Sequence, residues 1–175
     1  TAPHILATGR AIPSRVVTNE DMCSMVETSD EWIFTRTGIH SRYYCQGERG
    51  ADLAEQAARQ AMERAGLKPE DIGVCLVATF TPHFATPSTA CQMQKRLGLQ
   101  EDTICFDLNA ACAGFLYGMK TAHALLADAP RPYALLIGCE AISRVADRND
   151  RSTFILFGDG AGAVVMERQE DAVWH

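Results

Sequence analysis

The chain has 175 residues, of which 47% are hydrophobic and 22% are charged, and its formal net charge is -6 at pH 7. This composition supports one buried core and excludes disordered and fibrous classes. The acidic balance, without any basic block, argues against a nucleic-acid partner. No apolar run is long enough to span a membrane and the first ten residues lack a signal-peptide pattern, so we expect a soluble, cytoplasmic protein without a membrane partner.

The first part of the chain predicts one strand and two short helices. The strand is expected near residues 4–9 and the first helix over residues 18–26, opened by a Thr/Asn cap. Thr28 and Glu31 have the spacing of a capping box and Gly38 lies where a helix would stop, so residues 29–37 should form the second helix. Trp32 and Arg36 would then share one face of it.

Helices and strands alternate through the middle of the chain. Small residues recur at helical spacing over residues 51–65, which is typical of a helix packed closely on a sheet. The segments that follow predict a turn over residues 69–71 and then strands that alternate with helices. The strands are expected over residues 74–80, 103–108 and 133–138, and the helices between them over residues 88–97 and 112–127. This alternation predicts an α/β layered domain with a mixed, mainly parallel sheet.

The last part of the chain contains a polar loop over residues 143–152 and two further predicted strands, residues 153–157 and 161–167. We interpret the glycines of Gly158-Asp159-Gly160 between them as a tight turn, and expect the closing segment to pair in an antiparallel or mixed manner. Residues 169–175 have no fold signal. Since no linker or repeat interrupts the chain, residues 1–175 are predicted to be one domain.

Seven cysteines occur without CxxC or Cys/His spacing, which argues against disulfides and zinc, so we interpret them as thiols in a reducing compartment. Cys75 and Cys105 lie in apolar strand-like runs and Cys91 lies in a helix-like segment, where a cysteine is often only a small core residue.

Cys112 has a different setting, at the junction of a predicted buried strand and a predicted helix. Its neighbours Ala110, Ala111, Ala113 and Gly114 would let a bulky acyl thioester approach. The positive end of a helix favours a thiolate, and a nucleophile at a strand-turn-helix junction is an established arrangement. These features indicate a nucleophile, with a packed core thiol as the alternative.

Four segments together resemble the ketoacyl synthase III members of the thiolase superfamily. They are TSDEWIFTRTGIHSR at 28–42, TPSTACQMQKRLG at 86–98, DLNAACAGFLYG at 107–118 and FGDGAGAVV at 157–165. The resemblance covers essentially the whole chain and corresponds to the amino-terminal half of the family's thiolase-like fold. It implies an acyltransferase that condenses an acyl-CoA primer with malonyl-acyl carrier protein through a Cys112 acyl-enzyme, initiating type II fatty acid synthesis.

The resemblance also implies substrate-binding residues. Trp32 and Arg36 match positions that sandwich the adenine of coenzyme A, which suits an indole and a guanidinium four residues apart. Thr28 and Arg151 match positions near the nucleotide. Thr86 matches a position at the end of the acyl pocket, contributed across a dimer interface, where a small residue should admit primers longer or more branched than acetyl. The alternatives are a core Trp32 with a paired Arg36, a purely capping Thr28 and a solvated Arg151.

Members of this family use a Cys-His-Asn set whose histidine and asparagine lie in a second half, beyond residue 175. The five histidines of this chain match no family motif, and none is assigned to catalysis: His4, His40, His83, His123 and His175. Because the absent pair stabilises the enolate formed as malonyl-acyl carrier protein loses carbon dioxide, the carboxyl-terminal half is an expected partner for turnover.

The resemblance further implies a homodimer of complete subunits with the strand over residues 103–108 at the interface, and no metal, flavin or nicotinamide cofactor. The docking patch for the acidic carrier protein is expected mainly outside this net acidic chain. Two alternatives stay open. The same chemistry could serve a secondary-metabolite pathway, or the chain could be a non-catalytic domain that binds coenzyme A or dimerises.

Overall fold

The structure, a computed structural model, describes residues 2–169 and contains two sheets. Its elements are β1 (Ala2–Ala11), β2 (Arg15–Thr18), α1 (Asn19–Cys23), α2 (Asp30–Thr37), β3 (Ser41–Tyr44), α3 (Gly50–Ala65), β4 (Ile72–Ala78), α4 (Thr89–Leu97), β5 (Ile104–Leu108), α5 (Gly114–Leu126), β6 (Tyr133–Ala141), α6 (Arg151–Phe154) and β7 (Asp159–Gln169). None of the helices in this described part is both long and apolar enough to cross a bilayer.

The main sheet has the strand order β1-β7-β6-β4-β5. β4 pairs in parallel with β5 and β6, whereas β7 runs antiparallel to both β6 and β1. Four strands therefore point one way and β7 points the other, which confirms the predicted mixed α/β sheet and the antiparallel closing segment. β2 and β3 form a separate antiparallel pair that the sequence analysis did not predict.

Side chains of the central strands alternate between two apolar layers. On β4, Cys75 and Val77 belong to the cluster formed with α3 and α4, whereas Val74 and Leu76 belong to the cluster formed with α5. The period of two sends successive side chains to opposite faces, so a strand covered on both faces is apolar throughout. Every residue of β4 is buried, as its continuous apolar run predicts.

Helix α3 approaches the sheet almost backbone to backbone. Its alanines Ala54, Ala57, Ala58 and Ala61 are fully buried, and a Cβ added to Gly9 on β1 would lie 2.0 Å from the carbonyl oxygen of Ala57. The backbones of α3 and β1 can approach this closely because both elements carry small side chains at the contact. The predicted close packing of this helix is confirmed.

Most predicted helix ends are confirmed, but one cap is wrong. Gly38 ends α2 as predicted, in the left-handed conformation with a φ of 69°, and Gly66 and Gly98 end α3 and α4 in the same way, with φ of 67° and 75°. Helix α2 begins one residue later than a Thr28 cap would require. Ser29 Oγ accepts the N–H of Trp32 at 3.1 Å, so Ser29 takes the capping role predicted for Thr28.

The predicted strand over residues 153–157 is also wrong. The Asp150 carboxylate accepts the N–H of Ser152 at 3.0 Å and the hydroxyl of Thr153 at 2.6 Å, and this cap starts α6 instead. The predicted tight turn at Gly158–Gly160 is wrong because β7 begins at Asp159 and Gly160 already pairs with Glu140 of β6. Residues 170–175, including His175, lie outside the described residues.

Candidate active site

Cys112 lies on a sharp connection between β5 and α5. A 3₁₀ turn covers Ala111–Ala113, so α5 begins at Gly114, two residues later than predicted. Ala111 has a φ of 45°, a left-handed conformation that is unfavourable for a residue with a Cβ. Such strain is often found at functional sites, and here it presents the neighbouring Cys112 side chain to solvent at the start of a helix.

Cys112 lines a cavity of about 230 Å³ at the carboxyl ends of the parallel strands β4 and β6. In open α/β sheets, ligands bind in the crevice at this end of the strands. Most of the wall consists of small residues. The lining is Ala78, Ala111, Cys112, Phe115, Gly138, Cys139, Glu140, Gly160, Ala161 and Gly162.

The glycines around this cavity give it room and shape. Gly160 and Gly162 belong to β7 and contribute no side chain to the cavity they line, whereas the sequence analysis assigned the glycines of this segment to a turn. A Cβ on Gly138 would lie 3.3 Å from the Phe115 ring, so this glycine lets the first turn of α5 rest on β6. The start of β7, with Gly160 and Gly162, therefore forms one wall of the cavity.

A second thiol, Cys139, lines the same cavity but differs chemically from Cys112. Its Sγ donates to the carbonyl oxygen of Gly50 at 2.9 Å, and burial, reinforced by the neighbouring Glu140 carboxylate, raises its pKa to about 12. Burial and Asp159 likewise raise the pKa of Cys45 to about 12. Both thiols stay protonated at neutral pH, which leaves Cys112 as the exposed thiol of the cavity.

Glu140 is a charged, half-buried residue of this cavity that the sequence analysis missed. Its carboxylate accepts the N–H of Phe80 at 2.9 Å and the N–H of Thr81 at 3.1 Å. A signal was present, because Glu140 follows the predicted apolar strand over residues 133–138 after only one residue. Polar groups just beyond a buried strand often belong to the site at that edge of the sheet.

Three of the predicted nucleotide residues meet at the Trp32 ring. The guanidinium carbon of Arg36 lies 4.5 Å from the ring centroid, as expected for residues on one face of α2, and that of Arg151 lies 4.4 Å from it. Arg151 comes from α6 and also donates to the carbonyl oxygen of Glu27 at 3.3 Å. Both distances are within the range of cation–π attraction, so Arg151 is more than a solvated loop charge.

Thr28, the fourth predicted nucleotide residue, has a buried hydroxyl oxygen with no hydrogen-bond partner among the described residues. A buried hydroxyl without a partner is costly, which makes it a candidate for contact with a ligand. Close by in the chain, Met25, Val26 and Glu27 line a cavity of about 490 Å³ together with Arg148, Asn149 and Arg151. Among residues 2–169, none lines both this cavity and the Cys112 cavity.

Thr86 is not brought to the Cys112 cavity within this chain. It is exposed on the loop between β4 and α4 and is not among the cavity-lining residues. The histidines of the described part of the chain are also absent from the lining of this cavity. Instead, His40 stacks on Phe34 and His83 Nδ1 lies 3.1 Å from Arg144.

Helix α5 presents an exposed apolar face directly after the cysteine. Leu116 is 67% exposed and Tyr117 is 58% exposed. A groove of about 320 Å³ follows the same helix, lined by Leu116, Met119, Lys120 and His123. Large apolar side chains that are this accessible at neighbouring positions indicate a surface that another part of a protein covers.

Comparison with known proteins gives concordant matches in sequence and fold. The family model described as 3-oxoacyl-[acyl-carrier-protein (ACP)] synthase III matches residues 106–175. Beta-ketoacyl-[acyl-carrier-protein] synthase III of Rhizobium meliloti is 50% identical over 94% of this chain and 51% of its own length. The chain thus spans about half the length of the curated relatives it matches.

Solved structures give the same result. The 3-oxoacyl-[acyl-carrier-protein] synthase III of Aquifex aeolicus superposes with a TM-score of 0.91 and 44% identity, covering 97% of this chain and 55% of that protein. The priming beta-ketosynthase of the R1128 polyketide pathway superposes with a TM-score of 0.91 and 34% identity, covering 97% of this chain and 51% of that protein. In fold the chain is therefore similar to both.

Proposed function

The chain belongs to the β-ketoacyl-[acyl-carrier-protein] synthase III family, and on this premise we propose that it supplies the amino-terminal half of an acyltransferase. The complete enzyme condenses an acyl-CoA primer with malonyl-acyl carrier protein through an acyl group on Cys112, which initiates type II fatty acid synthesis. The supporting observation is the setting of Cys112, an exposed thiol at a strand-turn-helix junction in a cavity of small residues.

In this proposal Cys112 performs the acyl-transfer step. Its thiolate attacks the thioester carbonyl of acyl-CoA, a bond forms between Sγ and the acyl carbon, and the bond between that carbon and the coenzyme A sulfur breaks. The proton of the cysteine ends on the coenzyme A thiol. Gly160 and Gly162 leave space for the acyl group, while the protonated Cys139 does not compete as a nucleophile.

The nucleotide of coenzyme A binds, in the same proposal, at the cluster of Trp32, Arg36 and Arg151. The indole of Trp32 and the guanidinium plane of Arg36 stack on the two sides of the adenine, and the cation of Arg151 suits the ribose and phosphate oxygens. The unpartnered hydroxyl of Thr28 offers a further hydrogen bond to the nucleotide. For a base to stack between Trp32 and Arg36, the guanidinium carbon of Arg36, which lies 4.5 Å from the ring centroid, must move away from the ring.

The partner half is part of the proposal as well. It supplies the histidine and asparagine that stabilise the enolate after loss of carbon dioxide, and it covers the apolar face of α5 at Leu116 and Tyr117. Complete subunits form a homodimer in which β5, an edge strand of the main sheet, lies at the interface. The enzyme works in the cytoplasm with acyl-CoA as a substrate and without a metal or redox cofactor.

Intact-mass measurement after exposure to acyl-CoA tests this function, with and without the carboxyl-terminal half. We expect an acyl adduct that maps to Cys112, is abolished in Cys112→Ser and persists in Cys91→Ser, a control at another exposed cysteine. An unmodified Cys112 in the reconstituted protein would refute the proposal. Competition between primers tests Thr86: a strict preference for acetyl that Thr86→Phe leaves unchanged would contradict its role in primer choice.

A second candidate uses the same acylation in a secondary-metabolite pathway. It is favoured by the likeness to the priming ketosynthase named above. Cell extracts distinguish the two, because loss of the enzyme reduces straight- or branched-chain fatty acids only under the first proposal. A non-catalytic coenzyme A-binding domain would leave Cys112 unmodified in every arm of the mass experiment.

A further inference from the structure

We propose that Glu140 is a positioning residue of the Cys112 site, which fixes the loop after β4 against the carboxyl end of β6. The effect of Glu140 on kinetics rests on the proposed acylation of Cys112, whereas its effect on the loop rests on hydrogen bonds in the structure. The kinetic effect and the structural effect can therefore be tested separately.

The Glu140 carboxylate accepts hydrogen bonds from three consecutive residues of the loop. Thr79 donates its hydroxyl at 3.3 Å, Phe80 its N–H at 2.9 Å, and Thr81 both its N–H at 3.1 Å and its hydroxyl. The hydroxyl oxygen of Thr81 in turn accepts the N–H of Ala141 at 2.9 Å. The loop is thus bonded to two successive residues of β6.

This arrangement requires a carboxylate. All four groups that face Glu140 are donors, and an ionised carboxyl group is an acceptor on both oxygens. Since Oε1 accepts the N–H of Phe80 and Oε2 accepts that of Thr81, a glutamine at the same position would turn its NH₂ group towards one of these two N–H donors and lose that bond. Hydrogen bonds to an ionised acceptor are also stronger than neutral ones, so the charge holds the loop more firmly than an amide could.

The position of Glu140 connects this loop to the reacting group. Glu140 lines the Cys112 cavity, as does Ala78, the last residue of β4 and the one directly before the loop. The loop continues to Thr86, the residue assigned to primer choice. By fixing residues 79–81, Glu140 sets both the cavity wall and the direction in which the rest of the loop leaves the sheet.

Amide hydrogen exchange tests the structural part on the chain itself. We expect at least one of the amides of Phe80 and Thr81 to exchange about tenfold faster or more in Glu140→Gln, because the NH₂ group of the glutamine replaces the oxygen that accepts one of these two N–H groups. Glu140→Asp retains an acceptor-only group and should show a smaller increase. The control Glu63→Gln, on the exposed side of α3, should leave these amides unchanged. Wild-type exchange at both amides in Glu140→Gln would overturn the proposal.

Acylation kinetics test the functional part in protein reconstituted with the carboxyl-terminal half. Glu140→Gln should alter the ratio of acylation rates for short and branched acyl-CoA, with Glu140→Asp closer to wild type, whereas simple destabilisation lowers both rates equally. An unchanged ratio beside faster loop exchange would refute the positioning role. If wild type is not acylated, the proposed function fails, while the exchange result still decides the structural part. Should Glu140→Gln not fold, Thr81→Val removes the hydroxyl that bonds to the carboxylate and accepts the N–H of Ala141, and it should change the same ratio in the same direction.

Discussion

Substitution of Gly9 by alanine should strongly destabilise the protein, because α3 lies directly over this residue of β1. The added Cβ would meet the carbonyl oxygen of Ala57 at 2.0 Å and the nitrogen of Ala61 at 2.7 Å. Both obstacles are backbone atoms of a helix, so no change of side-chain rotamer can relieve the clash. The helix itself must move.

The size of the effect follows from that displacement. Ordinary contact begins near 3.4 Å, so the helix and strand must separate locally by roughly 1.4 Å, the difference between the two distances. Overpacking in a core costs about 1–3 kcal/mol and occasionally more, and the upper end applies where the backbone has to shift. We therefore expect a loss of about 3 kcal/mol in the free energy of unfolding, which lowers the Tm by roughly 6–12 °C for a chain of this size.

Denaturant and thermal unfolding of Gly9→Ala and Gly160→Ala measure this effect against a matched control. Gly160 lies in the neighbouring strand β7, and the nearest atom to its added Cβ is the oxygen of Ala11 at 3.6 Å, an ordinary contact. We expect Gly160→Ala to remain within about 0.5 kcal/mol of wild type or to be slightly more stable. Similar stabilities for the two variants would show that the close approach of α3 to β1 is incorrect.

Two further predictions concern the candidate site. Trp32→Ala should weaken acyl-CoA binding by roughly tenfold, since it removes the ring that the guanidinium groups of Arg36 and Arg151 contact. Phe34→Ala, on an exposed part of α2, is the control and should leave binding unchanged. Equal calorimetric Kd values for the two variants would contradict the assignment of Trp32 to the nucleotide site. At pH 8, native protein treated with iodoacetamide should be labelled at the exposed Cys112 but not at Cys45 or Cys139, whose raised pKa of about 12 keeps them protonated until the pH approaches that value. If peptide mapping finds that Cys139 is labelled faster than Cys112, the predicted difference in reactivity between the two thiols is wrong.

Where the sequence analysis erred, two local signals competed. The run over residues 153–157 is apolar enough for a strand, but Asp150 caps a helix whose last residues overlap it. Thr28 and Ser29 are both good caps, and the helix uses the second. In each case the helix start is fixed by a capping hydrogen bond between residues two or three positions apart, and composition alone does not rank the competing caps.

The features that depend on residues close together in the chain could be predicted from the sequence alone. The alternation of helices and strands, the glycines that end α2, α3 and α4, and the strand-turn-helix setting of Cys112 all depend on residues a few positions apart. The tertiary structure decided which distant elements meet. The strand order places β6 and β7 beside Cys112 and gives Glu140 four donors from the loop after β4, while the packing of α6 near α2 brings Arg151 to Trp32. Such pairings depend on how the layers pack, and no local pattern specifies them.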